Sequence, residues 1–171
     1  MATGTFEEEM LALLPRLRRF ARSLTRDLPD ADDLCQLAVE RALKSRDQWQ
    51  PGTRLDAWMY RIMRNSWIDE ARARTRRAQT FAPEEDGMHV GDDGHEAIER
   101  NVAISEVDRA MARLPDEQRE VIALVLVEGL AYKEAAEILD IPMGTLTSRL
   151  VRGRQALVQM LEAASRSMTN G

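Results

Sequence analysis

Apolar residues in this chain recur every three or four positions almost throughout, and no segment alternates apolar with polar over the length of a strand. A period near 3.6 puts side chains on one face of an α-helix, whereas a half-buried strand needs a period of two. The expected fold is therefore all-α. Phe6, Met10, Leu13, Leu14, Leu17, Phe20, Ala21 and Leu24 trace one such stripe, with Pro15 either kinking that helix or standing at the start of a second. Asp30 is placed to cap a helix running to about Arg46, and Gln50-Pro51-Gly52 forces a turn after it. Thr53, with Asp56 three residues later, reads as an acidic variant of the capping box for a long helix through about Arg77.

Charge divides these helices into two groups. Residues 1–82 carry a net +3, residues 83–99 a net −7 with no lysine or arginine, and residues 100–171 a net −1. The middle stretch, PEEDGMHVGDDGHEAIE, has three glycines and little apolar content before Ala97, too little to bury on ordering. The expectation is two small helical domains, 1–77 and 100–171, joined by a flexible acidic linker at 78–99. The linker's acidic pairs and its two histidines lack a ligand spacing, so no metal or other cofactor is expected. Cys35 is the single cysteine, which excludes an internal disulfide; its neighbours Leu34, Leu37 and Ala38 place it in a helix interior. No run of about 18 apolar residues exists to span a membrane. The start, MATGTFEEEM, has neither a basic nor an apolar signal region, so a cytoplasmic location is expected.

Near the end of the chain the pattern points to DNA. Tyr132 to Leu139 is a short helical segment, Asp140 to Pro142 breaks it, and Ile141 to Arg154 (IPMGTLTSRLVRGR) begins a second helix. Two short helices joined by a three- or four-residue turn make a helix-turn-helix, and Ala136 is small where the two must cross closely. At about 100° per residue, Leu146, Leu150, Gly153 and Leu157 share one stripe, with Thr145, Ser148, Arg149, Arg152 and Gln155 on the opposite side. Arg149 and Arg152 suit guanine edges or phosphates, Thr145 and Ser148 phosphates or bases, and Lys133 the backbone. Arg154 adds a third cation beside them.

The long helix of the first domain carries a second basic face. Arg61, Arg64, Asn65, Ile68 and Arg72 fall within an arc of about 100°. Trp58, Tyr60 and Trp67 lie on the same helix; each either stacks on a base or fills the bundle core, the core being the better expectation for Trp67. Arg72, Arg74, Arg76 and Arg77 form a basic tail.

DADDLCQLAVERAL (Asp30 to Leu43), LDAWMYRIMRNSWIDEAR (Leu55 to Arg72), LPDEQREVIALVLVEGLAYKEAAEIL (Leu114 to Leu139) and IPMGTLTSRLVRGR stand in one order and separation. Together they resemble the successive motifs of group IV, or extracytoplasmic-function, sigma factors of bacterial RNA polymerase. The resemblance covers nearly the whole chain outside the linker. It implies a region 2 domain and a region 4 domain, with no region 1.1 and no full region 3. It further implies three partners: core RNA polymerase, promoter DNA and an anti-sigma protein. Asp30, Asp33, Leu34 and Gln36 match the helix that docks on the polymerase clamp. Trp58, Tyr60, Arg61, Arg64, Asn65 and Arg72 fall on the helix that melts the minus-ten element, where Asn65 suits a flipped base because its amide both donates and accepts. Lys133, Thr145, Ser148, Arg149, Arg152 and Arg154 fall on the unit that reads the minus-thirty-five duplex. Ala131 departs from the family pattern where Ser often caps, and Asp140 stands where Gly is frequent, tolerable because Asp visits left-handed conformations. The competing reading is a sigma-like adaptor that binds an anti-sigma protein without engaging promoters. An enzyme is not expected, since Asp56, Asp69 and Glu70 have no nucleophile and base spaced with them.

Overall fold

The computed structural model describes residues 4–80 and 105–170, all of whose regular elements are helical. The chain divides into two compact units, Met1–Gly94 and His95–Gly171. The acidic stretch at 83–99, with its expected flexibility, lies outside the described residues.

Three helices build the first unit. Helix α1 (Phe6–Thr25) opens on a true capping box: the Glu8 amide donates to the Thr5 hydroxyl and the Thr5 amide donates to the Glu8 carboxylate. Glu7, Glu8 and Glu9 complement the positive end of the helix dipole. Pro15 sits inside this single continuous helix. Its ring removes the bond to the Leu11 carbonyl, and both residues are exposed, so water can take the carbonyl. Arg26 ends the helix in the left-handed region at φ 63°.

Helix α2 (Leu28–Lys44) departs from expectation at both ends. Asp27, not Asp30, occupies the capping position, because Pro29 fits the first turn and leaves Asp30 inside it. The helix stops at Lys44 and Arg46–Gln48 form a separate 3-10 turn. Its buried face is mostly small, with Ala31, Ala38 and Ala42 beside Leu34 and Cys35, which lets the backbones of α1 and α3 approach closely.

Helix α3 (Leu55–Thr80) runs three residues beyond the expected Arg77. The expected Thr53–Asp56 box does not form. Thr53 donates instead to the Gln50 carbonyl at 2.6 Å, and the Asp56 carboxylate is drawn inward by Arg16 (3.1 Å) and Arg54 (2.7 Å). Burial pushes the Asp56 carboxyl up, but hydrogen bonds from Arg54, the Ala57 amide and Arg16 outweigh it and hold the group below the usual carboxylate range. Met59, Tyr60, Met63 and Ser66 bury one face of α3, and beyond Ser66 none of its residues is buried.

The second unit is built from α4 (Glu106–Arg113), α5 (Asp116–Ile122), α6 (Tyr132–Leu139) and α7 (Met143–Thr169). A π-helical turn, Ala123–Val127, extends α5. Leu114, Val121, Ile122, Leu124, Ala135 and Leu146 are almost wholly buried and form its core. Gly153 is where α7 crosses α5: a methyl group there would stand 3.1 Å from Ile122 Cγ1 and 3.2 Å from Gln118 Cβ. Arg119 is buried, donating to the Leu114 carbonyl at 2.8 Å and pairing with Asp116, so its charge is satisfied inside the unit.

Candidate nucleic-acid interface

In the first unit, α2 and α3 frame a concavity of about 310 Å³. Trp58, Ile62 and Asn65 share one face of α3, spaced four and three residues apart, and form one wall. Arg41, Lys44, Ser45 and Gln48 form the other. Arg41 is braced from below, its Nη1 donating to the Ser66 hydroxyl at 3.0 Å and to Asp69 at 3.2 Å. Ser66 in turn donates to the Ile62 carbonyl at 2.7 Å. Trp58 is half-buried and held edge-on against Phe6 at 6.0 Å, so its indole is oriented by packing. An aromatic wall, an amide and two cations suit a flat, hydrogen-bonding ring joined to phosphates.

Tyr60 does not belong to this surface. Its ring is 0% exposed, packed edge-to-face on Phe20 at 5.1 Å beneath the Arg16 guanidinium. A ring without accessible surface cannot stack on a base, so Tyr60 is core, the alternative that its helix position left open. Arg61, Asn65 and Arg72 are exposed, and Arg64 is half-buried. Trp67, for which the core was the better expectation, is half-buried on the outer side of α3 with the Arg74 guanidinium 5.8 Å from its ring centroid.

Among the proposed polymerase contacts, Asp33 and Gln36 are exposed on α2, and Asp30 is half-buried, 3.5 Å from Arg74. Leu34 is 4% exposed and faces inward with Cys35 and Ala38. It cannot be a docking contact as well. Exposed residues of a helix lie about 100° from their neighbours, and Leu34 follows Asp33 into the core.

In the second unit the helix-turn-helix comprises α6, a turn and α7. Asp140 takes the left-handed conformation at φ 55°, ψ 50°. Ala131 offers no side-chain cap, yet its amide donates to Glu134 Oε1 at 3.2 Å, so half of a capping box survives. On α7, Leu146, Leu150 and Gly153 are buried and Leu157 is half-buried, while Ser148, Arg152, Arg154 and Gln155 are exposed, as is Lys133 on α6. Thr145 and Arg149 stand at the margin instead. Both are half-buried, and Arg149 turns toward Glu117 on α5 at 3.7 Å. Met143, Thr147 and Val151 complete the exposed face, and their mixed apolar and neutral character carries no charge or motif that marks them in the sequence. Arg41, Lys44 and Gln48 escaped for another reason: nothing in α2 itself says which of its residues will meet α3.

Among the described residues no group of three or more histidines, cysteines, aspartates or glutamates could hold a metal, and no helix is long and apolar enough to cross a membrane.

Two family models match the chain: sigma-70 region 2 over residues 10–77 and sigma-70 region 4 over residues 104–157. The ECF RNA polymerase sigma factor EcfG of Rhodopseudomonas palustris is 35% identical over 163 residues, covering 93% of this chain and 86% of that protein. The ECF RNA polymerase sigma factor SigE of Mycolicibacterium smegmatis is 35% identical over 158 residues, covering 91% of this chain and 61% of that one. Among solved structures, the sigma factor RpoE in complex with the anti-sigma factor NepR from Bartonella quintana superposes with a TM-score of 0.74 at 32% identity, covering 92% of this chain and 96% of that chain.

Proposed function

The chain belongs to the extracytoplasmic-function sigma factors of RNA polymerase, and from that premise we propose a division of promoter recognition between its two units. It directs core RNA polymerase to specific promoters and contributes to opening them. In the proposed division, residues 1–77 dock on the polymerase through Asp30, Asp33 and Gln36 and engage the minus-ten element. Residues 100–171 read the minus-thirty-five duplex, and residues 78–99 connect the two. The observation that carries the reading is the concavity between α2 and α3.

A base turned out of the duplex would stack on Trp58 and meet the Asn65 amide, with Arg41 and Lys44 near its phosphates and Arg61 and Arg72 following the strand. In the second unit Ser148 and Arg152 are central to the groove-facing side of α7, with Thr145 and Arg149 at its edge and Lys133 and Arg154 on flanking phosphates. The work is done by binding energy, without catalysis, in the cytoplasm. A net charge of −5 opposes binding of the isolated chain to DNA, so both faces depend on polymerase to orient them and supply further basic surface. An anti-sigma protein is a further partner, supported by the likeness to a sigma factor solved with one.

Run-off transcription with core polymerase and a promoter library tests this reading. Initiation at a defined sequence, lost in Asn65→Ala and in Arg152→Ala, is the expected result. Stable core binding without initiation at any promoter would favour the adaptor instead.

A further inference from the structure

Arg41, on one wall of the concavity between α2 and α3, is held through a single nitrogen. Its Nη1 donates to the Ser66 hydroxyl at 3.0 Å and to Asp69 Oδ2 at 3.2 Å. Ser66 is wholly buried and gives its own proton to the Ile62 carbonyl, so towards Arg41 it can only accept. Asp69 reaches the same nitrogen from one helical turn beyond Asn65. A cation in the last turn of α2 complements the helix dipole in any orientation. A pair of acceptors on one nitrogen does something the dipole does not require: it fixes the plane of the guanidinium.

The opposite edge of the group is open. Among the described residues neither Nε nor Nη2 of Arg41 has a hydrogen-bond or ion-pair partner, and the side chain is 41% exposed. These nitrogens form the edge from which an arginine gives parallel N–H bonds to the oxygens of a phosphate. The same concavity is lined by Trp58 and Asn65, so a nucleotide whose base lies against them brings its phosphate within reach of that edge.

We propose that Arg41 clamps one backbone phosphate of the minus-ten strand, the phosphate adjoining the base held by Trp58 and Asn65, and that Ser66 and Asp69 are its positioning residues. Through Nη1 they hold the guanidinium so that its Nε–Nη2 edge meets the phosphate in parallel bonds. A lysine at this position supplies the same charge without the fixed fork. Asp69 therefore favours phosphate binding although it carries a like charge, the reverse of what repulsion between the two alone produces. The clamp rests on the proposed reading of residues 1–77 as the minus-ten unit.

Binding of the minus-ten single strand of a promoter to core polymerase carrying this chain tests the clamp, with a methylphosphonate placed at each backbone position in turn to remove one charge. With the natural chain, neutralisation beside the captured base should weaken binding about tenfold, and with Arg41→Lys the same change should cost about threefold or less. Asp69→Ala should weaken binding of the unmodified strand by about threefold to tenfold and shrink the methylphosphonate effect, while Asp69→Asn, which keeps an accepting oxygen, should restore both. Tighter or unchanged binding in Asp69→Ala would make the carboxylate a source of repulsion only and overturn the proposal. A methylphosphonate effect equal in the natural chain and in Arg41→Lys would overturn it too. Trp58→Ala, measured in parallel, separates this failure from that of the promoter reading: weaker binding there without coupling at Arg41 overturns the clamp alone, and unaltered binding overturns both.

Discussion

Gly144 and Gly153 lie nine residues apart on the same helix, and alanine should stabilise at the first but not at the second. Gly→Ala in a helix interior gains about 1 kcal/mol of intrinsic propensity, somewhat less in the first turn where Gly144 stands. At Gly144 a new methyl group meets nothing within 4 Å, so the gain is kept. At Gly153 the methyl stands 3.1 Å from Ile122 Cγ1 and 3.2 Å from Gln118 Cβ, inside the comfortable carbon separation. Both neighbours are side-chain carbons of α5 near its backbone, and each must give by a few tenths of an ångström to admit the methyl. Overpacking of this kind costs about 1–3 kcal/mol. Gly153→Ala should therefore be neutral to destabilising by about 2 kcal/mol, and should lie about 1–3 kcal/mol below Gly144→Ala, a difference in which most of the propensity cancels. Urea unfolding followed by far-UV circular dichroism reads the effect. Trp49, Trp58 and Trp67 all lie in the first unit, so tryptophan fluorescence monitors that unit alone and should not shift. If Gly153→Ala equals or exceeds Gly144→Ala in stability, the close crossing of α5 and α7 is wrong, and with it the argument that glycine is required there.

The first unit should lose stability in acid through Asp56. Its carboxyl is held below the usual value in the folded state, so its contribution is complete above the unfolded value near 3.8 and disappears as pH falls through the lower folded value. In Asp56→Asn the fluorescence-detected urea midpoint should be lower at neutral pH and flatter through that window; an identical acid profile would remove Asp56 from the account. Trp58→Ala should weaken binding of a minus-ten single strand by polymerase carrying this subunit by about 1–3 kcal/mol, the worth of one stacked base. Tyr60→Phe should leave that binding unchanged, since the ring lies in the core, and any comparable loss would contradict its placement. Arg152→Ala should lower the salt dependence of minus-thirty-five duplex binding by about one unit of slope if the side chain contacts a phosphate, or relax specificity at one position if it reads a base. Arg149→Ala should do less of either, because Arg149 lies at the edge of the face beside Glu117.

Much of this architecture is local and could be read from the chain. The apolar period fixes helices, and the stripe Leu146, Leu150, Gly153 fixes which side of α7 is buried, because a helix rotates by a constant angle per residue. Asp140 announces its own left-handed turn. Where the local reading failed, two groups competed for one role or one residue lay at a boundary. Asp27, not Asp30, stands at the N-cap position because Pro29 fits the first turn, although its side chain makes no capping hydrogen bond. Asp56 left its expected capping role for Arg16, forty residues distant in sequence, which a pattern of three-residue spacing cannot foresee. The wheel also placed Thr145 and Arg149 among exposed residues, although a margin is decided by how far the neighbouring helix overlaps it.

The sequence by itself determined the helices, the division of charge and the identity of the family, since each depends on residue type and spacing along the chain. Tertiary structure decided which aromatic rings remain available and what surrounds them. Tyr60 went to the core and Trp58 to a concavity whose other wall, Arg41, Lys44 and Gln48, comes from α2 and the turn after it. That outcome depends on how α1, α2 and α3 pack against one another. Packing angle and depth are set by the summed shapes of buried side chains from all three helices, a property that no one segment carries.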